Sequence, residues 1–311
     1  MNLKKPKFWD YKKPNIYAYI LFPITLLINF GNSIVKKLSK PNLNKSNIKT
    51  ICIGNFYVGG TGKTSLCITL NDMLIKKKIK SCFIKKNYND QIDEQKLLNK
   101  NGKLYLSSKR LEALNKADSE NYQIAIFDDG LQDKSIDYDL KIVCFNTLNW
   151  IGNGMMIPSG PLRESINNLK NYDHVFLNGN LENVKEIKEQ IFKINPAINI
   201  YLGKYEPVNL NEFNKNDKYI IFSGIGNHKT FVSMLKNYGF NIFDDFEFPD
   251  HYYYSKKDID NILDTARKSN CKIITTEKDY LRIDNTNYNE INYLKSKLKI
   301  LEEDKILNFI I

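Results

Sequence analysis

The run Ile51-Cys-Ile-Gly-Asn-Phe-Tyr-Val-Gly-Gly-Thr-Gly-Lys-Thr64 constrains this chain more than any other stretch. A short apolar segment enters a glycine-rich turn, and Lys63-Thr64 stand where a helix would open. In such a turn backbone N–H groups converge on an anion and the helix N-terminus adds a positive field. The lysine reaches terminal phosphates, and the threonine hydroxyl can hold Mg²⁺. The strict pattern G-x-x-x-x-G-K-[ST] fails by one residue, because Tyr57 occupies the place of the first glycine. Gly59-Gly60-Thr61-Gly62-Lys63-Thr64 is therefore a variant phosphate cradle. The apolar Leu66, Leu70, Met73 and Leu74 behind it have the spacing of a helix face and support that reading over a chance glycine-rich loop.

With 311 residues, 42% of them hydrophobic, the chain can form one large domain or two of ordinary size. Its formal charge of +11 is unevenly placed: residues 1–49 hold ten lysines against the single acid Asp10 and contribute +9, leaving +2 for the remaining 262 residues. No broad basic face follows from that balance, and no nucleic-acid partner is expected. From Pro14 to Val35 no side chain is charged, and residues 16–30 are strongly apolar. A bilayer span needs about 20 apolar residues. Here Pro23, Asn29, Gly31, Asn32 and Ser33 dilute the run, so an interfacial helix competes with a true span and with a core helix. Lysines on both sides (Lys4, Lys5, Lys7, Lys12, Lys13; Lys36, Lys37, Lys40) suit anionic headgroups but leave orientation open. No small-residue cleavage site follows, so a removed signal peptide is not expected.

Five cysteines (Cys52, Cys67, Cys82, Cys144, Cys271) form no C-x-x-C pair and read as reduced core residues. Three histidines (His174, His228, His251) are too few for a histidine-built metal site. Arginine occurs only as Arg110, Arg163, Arg267 and Arg282, so each points to a place that needs a planar fork.

Strand and helix patterns alternate along the chain, as a mostly parallel α/β sheet requires. Strands are expected near 50–54, 81–85, 103–106, 123–127, 141–145 and 174–177, with helices near 63–77, 108–117 and 181–193. Residues 86–100 are polar enough for a loop or a short helix. A second series starts at 218, with strands 218–223, 240–247 and 271–276 and helices 228–238 and 255–268. Ser255 and Asp258 give the last helix a capping-box start. The expected organisation is a membrane-associated helix over 1–40, a P-loop nucleotide-binding domain over 41–205 and a smaller α/β domain over 206–311.

Several constellations could carry chemistry. Ile124-Ala-Ile-Phe-Asp128-Asp129-Gly130 is an apolar strand ending in two carboxylates, the arrangement by which a strand beside a phosphate loop delivers an acid to Mg²⁺. A solvated strand-to-turn transition is the competing reading. In the glycine- and proline-rich loop 149–164, Arg163 could clamp phosphate or merely pair with Glu164. Phe248-Pro-Asp250-His251 sets a histidine beside an acid in an aromatic loop; a base for a hydroxyl could be His251 or a carboxylate oriented by it, and a structural histidine is the alternative. Thr275-Thr-Glu277-Lys278-Asp279 reads equally as a site or a salt-bridged strand end.

In this order the motifs resemble one family, the tetraacyldisaccharide 4'-kinases of the lipid A pathway. The matching runs are Gly54-Asn55 with Val58-Gly-Gly-Thr-Gly-Lys-Thr64, Asp128-Asp-Gly-Leu-Gln132, Pro158-Ser-Gly-Pro-Leu-Arg-Glu164, Gly224-Ile-Gly-Asn227, Phe248-Pro-Asp-His251 and Thr276-Glu-Lys-Asp279. The resemblance implies a P-loop fold and transfer of the γ-phosphate of ATP, with Mg²⁺, to the 4'-hydroxyl of a lipid A disaccharide 1-phosphate at the cytoplasmic face of the inner membrane. It also implies that Gly59, Gly60, Thr61, Gly62, Lys63, Thr64 and Arg163 hold the nucleotide, with Lys63 active in catalysis. Thr64, Asp128 and Asp129 would serve the metal, and Asp93 with His251 would form the hydroxyl-activating dyad. Departures from the family pattern are the missing Gly and Pro around Asp93-Glu94, Ile84-Lys85-Lys86-Asn87-Tyr88 in place of Ser-Arg-Gly-Tyr, and Asp133 in place of a histidine; Arg110 is a loose match for a charge clamp. A membrane-tethered nucleotide switch is the alternative, although no Asn-Lys-x-Asp follows the P-loop; a nucleic-acid ATPase is disfavoured by the near-neutral body.

Overall fold

Apolar residues run without alternation through 51–53 and 124–127, the pattern of strands covered on both faces. The computed structural model describes residues 5–38, 47–88, 91–133, 135–283 and 288–311, with 32–38 as backbone, and both runs lie at the centre of the larger of two sheets. The chain first lays down β1 (Lys49–Gly54), β2 (Ser81–Lys86), β3 (Leu104–Ser107), β4 (Ile124–Asp128), β5 (Leu140–Asn146), β6 (His174–Asn178) and β7 (Asn199–Pro207). It then forms a smaller sheet from β8 (Lys218–Ser223), β9 (Asn241–Glu247), β10 (Lys272–Thr276) and β11 (Ile291–Leu294), and returns with β12 (Ser296–Ile300). The larger sheet has the order β12-β7-β6-β5-β1-β4-β2-β3 and the smaller one β11-β10-β8-β9. All pairings are parallel except that of β12 with β7.

Helices α1 (Ile16–Leu38), α2 (Lys63–Lys76), α3 (Ile92–Asn101), α4 (Arg110–Ser119), α5 (Val184–Ile194), α6 (His228–Asn237), α7 (Lys256–Lys268), α8 (Glu277–Tyr280) and α9 (Glu303–Ile310) complete the described chain. On one face of the larger sheet α2 buries Leu66, Leu70 and Leu74 in the same cluster as Ile306 and Ile310 of α9. Separate clusters around α4 and α5 contain Leu114 and Ile191. The capping box expected at Ser255 is present, with side chain and backbone bonds in both directions to Asp258. Cys52, Cys67, Cys82 and Cys144 are buried and all five cysteines are free thiols.

The register of β1 positions the site. Ile53 pairs with Asp128 on one side and with Ile142 on the other. The loop leaving β1 and the carboxylate ending β4 therefore emerge side by side at the carboxyl edge, where the strand order reverses and open α/β sheets take their ligands.

The chain's end departs from the sequence expectation, which placed everything from 206 onward in the smaller unit. β12 pairs antiparallel with β7, from Ser296↔Pro207 to Ile300↔Gly203, and α9 fills the core beneath α2. Chain order alone gave no sign of this, because the partner of β12 lies about ninety residues upstream. The segment 86–100, read as loop or short helix, forms α3.

Of the described side chains of α1 only Ala18 and Thr25 are buried, whereas Ile16, Tyr19, Ile20, Leu27 and Phe30 are exposed. A core helix is therefore not what this segment forms. Thr25 anchors it through Oγ1, 2.8 Å from Ser159 Oγ. Among the described residues no helix is long and apolar enough to cross a membrane. Lys4, Lys40 and the side chains of Lys36 and Lys37 lie outside the described residues.

Because Ile306 is fully buried in the cluster that also holds α2, Ile306→Ala is expected to cost about 2–5 kcal/mol in denaturant unfolding. A loss under about 0.5 kcal/mol would place α9 outside that core.

Candidate active site

β1 ends at Gly54 and the chain turns through 55–62 into α2. Gly59 (φ +116°) and Gly62 (φ +83°) are in the left-handed region that glycine alone enters cheaply. At Gly62 a Cβ would also stand 2.8 Å from Asn178 Nδ2 and 2.9 Å from Tyr205 Oη. Asn178, the last residue of β6, donates to Thr61 O at 2.7 Å, and Asn55 donates to Tyr57 O. Side-chain amides thus impose the loop's shape, while the N–H groups of the first turn of α2 have no intrahelical partner and suit an anion. Tyr57, in the position of the absent glycine, is buried and turned toward the N-terminus: its hydroxyl bonds to Asp10 and accepts from Lys5 Nζ at 3.1 Å.

Beside the loop, Thr64 Oγ1 donates to Asp128 Oδ2 at 3.1 Å, and Lys85 Nζ donates to the same oxygen at 2.8 Å. Asp128 Oδ1 is buried without a partner, so one carboxylate oxygen next to the threonine hydroxyl remains available to a cation or its water. Asp129 is held at φ +62° by its N–H to Ile53 O, 2.8 Å away. Its carboxylate accepts from Arg163 Nη1 at 2.9 and 3.1 Å and lies 3.9 Å from Lys63 Nζ. Burial opposes the charge on Asp129, but the Lys63 ammonium and the Arg163 guanidinium outweigh it and keep its pKa below the ordinary carboxylate value. Among the described residues no group of three or more His, Cys, Asp or Glu converges as a metal cage. Mg²⁺ bound through substrate phosphates needs only one or two carboxylates, and the Thr64–Asp128 pair fits that requirement.

The opposite wall comes from the smaller sheet and α3. His251 Nδ1 donates to Asp93 Oδ1 at 3.0 Å, and Arg282 Nη2 donates to Asp93 Oδ2 at 2.6 Å. Asp93, in the first turn of α3, is 5% exposed and has both oxygens occupied. Glu94 next to it accepts from Lys85 at 2.8 Å and from Lys278 at 3.0 Å. His251 is itself fixed by its backbone, at φ +56° with N–H donated to Gly224 O at 3.0 Å. Burial opposes the charge of Asp93, but the His251 hydrogen bond and the charges of Lys278 and Arg282 hold its carboxyl well below the usual range. Burial likewise works against protonated His251, yet its bond to Asp93 and the negative charge of Asp250 raise its pKa above 6.5.

Between the walls is an open cleft lined by 59–65, Arg163, Asn146, His251 and Lys278 among others. The two glycine turns meet across it: a Cβ on Gly226 would stand 1.9 Å from Gly60 N.

The glycine-rich turn, Asp129 and His251 thus line one cleft, with Asp128 and Asp93 buried directly behind them, and the family model for tetraacyldisaccharide-1-P 4'-kinase matches residues 17–311. The chain belongs to that family. It is 60% identical over 311 residues to the tetraacyldisaccharide 4'-kinase of Pelagibacter ubique (strain HTCC1062), covering 100% of this chain and 98% of the relative. It is 35% identical over 308 residues to that of Rickettsia canadensis (strain McKiel), covering 93% and 91%. The crystal structure of LpxK from Aquifex aeolicus in complex with ATP superposes with a TM-score of 0.69 at 24% identity, over 95% of this chain and 98% of that one, and supports the fold. The chain is a kinase, an enzyme of lipid A biosynthesis.

Within this kinase the sequence-derived candidates Lys63, Thr64, Asp128, Asp129 and Arg163 gather at the carboxyl edge of the larger sheet, with Asp93 and His251 facing them. Arg163 pairs with Asp129 and not with Glu164, which instead accepts from Gln132 and Asn168. Arg110 is not a clamp in the cleft: it is buried and ties Asp133 Oδ2, at 3.1 Å, to the carbonyl of Asp129. Residues 276–279 serve both readings, since Lys278 lines the cleft while Asp279 is buried under Gly224 N, Tyr254 and Arg282.

Sequence reasoning gave no individual role to Lys85, Arg282 or His228. Arg282 carried the signal of scarcity alone. His228 Nδ1 lies 2.6 Å from Ser223 Oγ and its Nε2 2.8 Å from Asp245 Oδ1, a chain shaped like a hydrolase triad. Ser223 is fully buried, so the trio holds the turn at 224–227 and cannot meet a substrate.

These pKa shifts give the kinase a pH-dependent stability. His251 binds its proton more tightly folded than unfolded, so its contribution is complete below 6.5 and is lost as pH rises through the raised folded value. Asp93 acts in the other direction: its contribution is present above 3.8 and is lost as pH falls. Melting temperatures of wild type are expected to fall more than those of His251→Gln between about pH 6 and about pH 9. Parallel curves would show that His251 is not charged by its partners.

Proposed function

We propose that this kinase carries out its reaction in the cleft between the two sheets, with the phosphates of ATP on the turn at 59–64 and the lipid hydroxyl before His251. The observation that carries the reading is that His251, held by the buried Asp93, lines one cleft with the phosphate loop and with Arg163. Phosphoryl transfer asks mainly for positioning and charge neutralisation, and each wall supplies part of both.

On the nucleotide side the N–H groups of 59–64 take the phosphate oxygens. Lys63, held only loosely at 3.9 Å from Asp129, can turn to the γ-phosphate. Arg163 adds a second positive charge at that end. Thr64 and Asp128, with Asp129 alongside, would hold Mg²⁺, which would supply positive charge to offset that of the phosphates.

On the acceptor side His251 is the stronger candidate base. Its Nδ1–H is given to Asp93, which leaves Nε2 to accept the proton of the 4'-hydroxyl of a tetraacyl disaccharide 1-phosphate. Asp93 has both oxygens engaged and a depressed pKa, so it orients the ring and stabilises the imidazolium without taking the proton itself. Because the raised pKa of His251 governs the neutral form, kcat/KM is expected to rise with pH through that value.

The exposed apolar side chains of α1 suit a membrane surface that also carries the acylated acceptor. Placement at the cytoplasmic face of the inner membrane keeps both ATP and the lipid within reach.

With radiolabelled ATP and the disaccharide 1-phosphate lipid in detergent, Lys63→Ala is expected to lose turnover by about two or more orders of magnitude. His251→Ala should lower kcat by about 10²–10⁴-fold with ATP affinity retained. Chelation of Mg²⁺ should abolish transfer. A fully active His251→Ala would remove it from catalysis, and turnover of ATP with some other alcohol while this lipid stays unmodified would contradict the acceptor assignment.

A further inference from the structure

Lys85 ends up with its charge out of water. It is 1% exposed, its Nζ lies 2.8 Å from Asp128 Oδ2 and 2.8 Å from Glu94 Oε2, and nothing above gives it a role in the reaction. The surroundings are specific. Thr64 Oγ1 donates to the same Asp128 oxygen at 3.1 Å, and Lys278 Nζ holds the other oxygen of Glu94 at 3.0 Å. Asp128 Oδ2 is thereby saturated by two donors, while Oδ1 is buried and has no partner.

The buried Asp128 and the half-buried Glu94 share one ammonium, in the place where a bridging divalent cation would otherwise sit. Without a cation between them, Asp128 and Glu94 would face each other with only Lys278 left to balance Glu94, and the buried Asp128 would lose its ammonium partner at a cost that such a carboxylate does not absorb. An ammonium differs from a divalent ion in two respects that matter here. It brings one charge where the ion brings two, and because it is part of the chain it can be neither chelated away nor carried off by a nucleotide.

We propose that Lys85 is a built-in cation on the metal side of the site. It is a positioning residue that dictates which oxygen Asp128 offers to the Mg²⁺ shell, and it keeps the Asp128–Glu94 pair from capturing a divalent cation of its own. This rests on the reading that Thr64 and Asp128 serve Mg²⁺–ATP. One cation, delivered with the nucleotide, then suffices, and the site stays poised for it instead of being occupied between turnovers.

The test uses the full chain without nucleotide, with Mn²⁺ as the probe and the electron paramagnetic resonance signal of free Mn²⁺ as the readout. Wild type and Lys85→Arg are expected to bind no Mn²⁺ tightly. Lys85→Met should gain one site at least about tenfold tighter than any in wild type, and Lys85→Met with Glu94→Gln should lose it again. Equal Mn²⁺ binding by wild type and Lys85→Met overturns the proposal, as does a gained site that survives Glu94→Gln. Should Lys85→Met be poorly folded, Lys85→Gln keeps similar volume without the charge, and Mn²⁺ should raise its melting temperature by more than it raises that of wild type. No such difference also overturns the proposal. In turnover, the Lys85→Met rate should acquire a dependence on free Mg²⁺ beyond that which saturates ATP. A lower kcat with an unchanged Mg²⁺ dependence would mark a merely structural lysine. Because the Mn²⁺ arms need no nucleotide, failure of the ATP reading would not imitate failure of this one.

Discussion

Everything in the cleft depends on α3 being held between two sheets by ion pairs that water scarcely reaches. Asp93 takes Arg282 and His251 from the smaller unit, and Glu94 takes Lys278 from the smaller unit and Lys85 from the larger. Such pairs add little net stability, because desolvation offsets most of their Coulomb attraction. Removing one partner is a different matter, at about 3–5 kcal/mol, since an unpaired buried charge is left behind. The pairs therefore act chiefly to select one arrangement of the two units and to disfavour others.

That arrangement explains why the phosphate loop can be an imperfect match to the usual pattern. Asn55 and Asn178 shape the turn through its carbonyls, and Gly226 closes on Gly60 from the other unit. The position of the absent glycine is used for a different purpose: the Tyr57 hydroxyl ties the turn to Asp10 and Lys5, just ahead of the apolar α1. The glycine-rich turn is thus tied on one side to the segment that leads into α1 and on the other to the unit that carries His251.

How much of this was legible in the sequence follows from how local each signal is. β1, the loop and α2 are contiguous, and Asp128-Asp129 closes an unbroken apolar strand, so the register Ile53↔Asp128 only had to bring together two readable pieces. The family resemblance supplied the pairing of Asp93 with His251, residues 158 apart in sequence. What stayed hidden is long-range. β12 and α9 carry ordinary short apolar patterns whose partners lie in β7 and α2. α3 is polar along most of its length, and its ion pairs reach cations of the other unit, Lys278 and Arg282, which no periodicity displays. Lys85 reads as one more lysine in a lysine-rich chain, and its burial exists only once β2, β4 and α3 are assembled. Of the four arginines, Arg163 and Arg282 reach the site and Arg110 braces its edge, while Arg267 pairs with the exposed Glu290.

The central claim is that Asp93 and His251 work as one unit on the wall facing the phosphate loop, and a double-mutant cycle on kcat for transfer to the lipid disaccharide tests it most directly. If Asp93 acts only by orienting and charging His251, then Asp93→Asn combined with His251→Ala is about as slow as His251→Ala alone. Losses that multiply, as for two independent groups, would contradict the account.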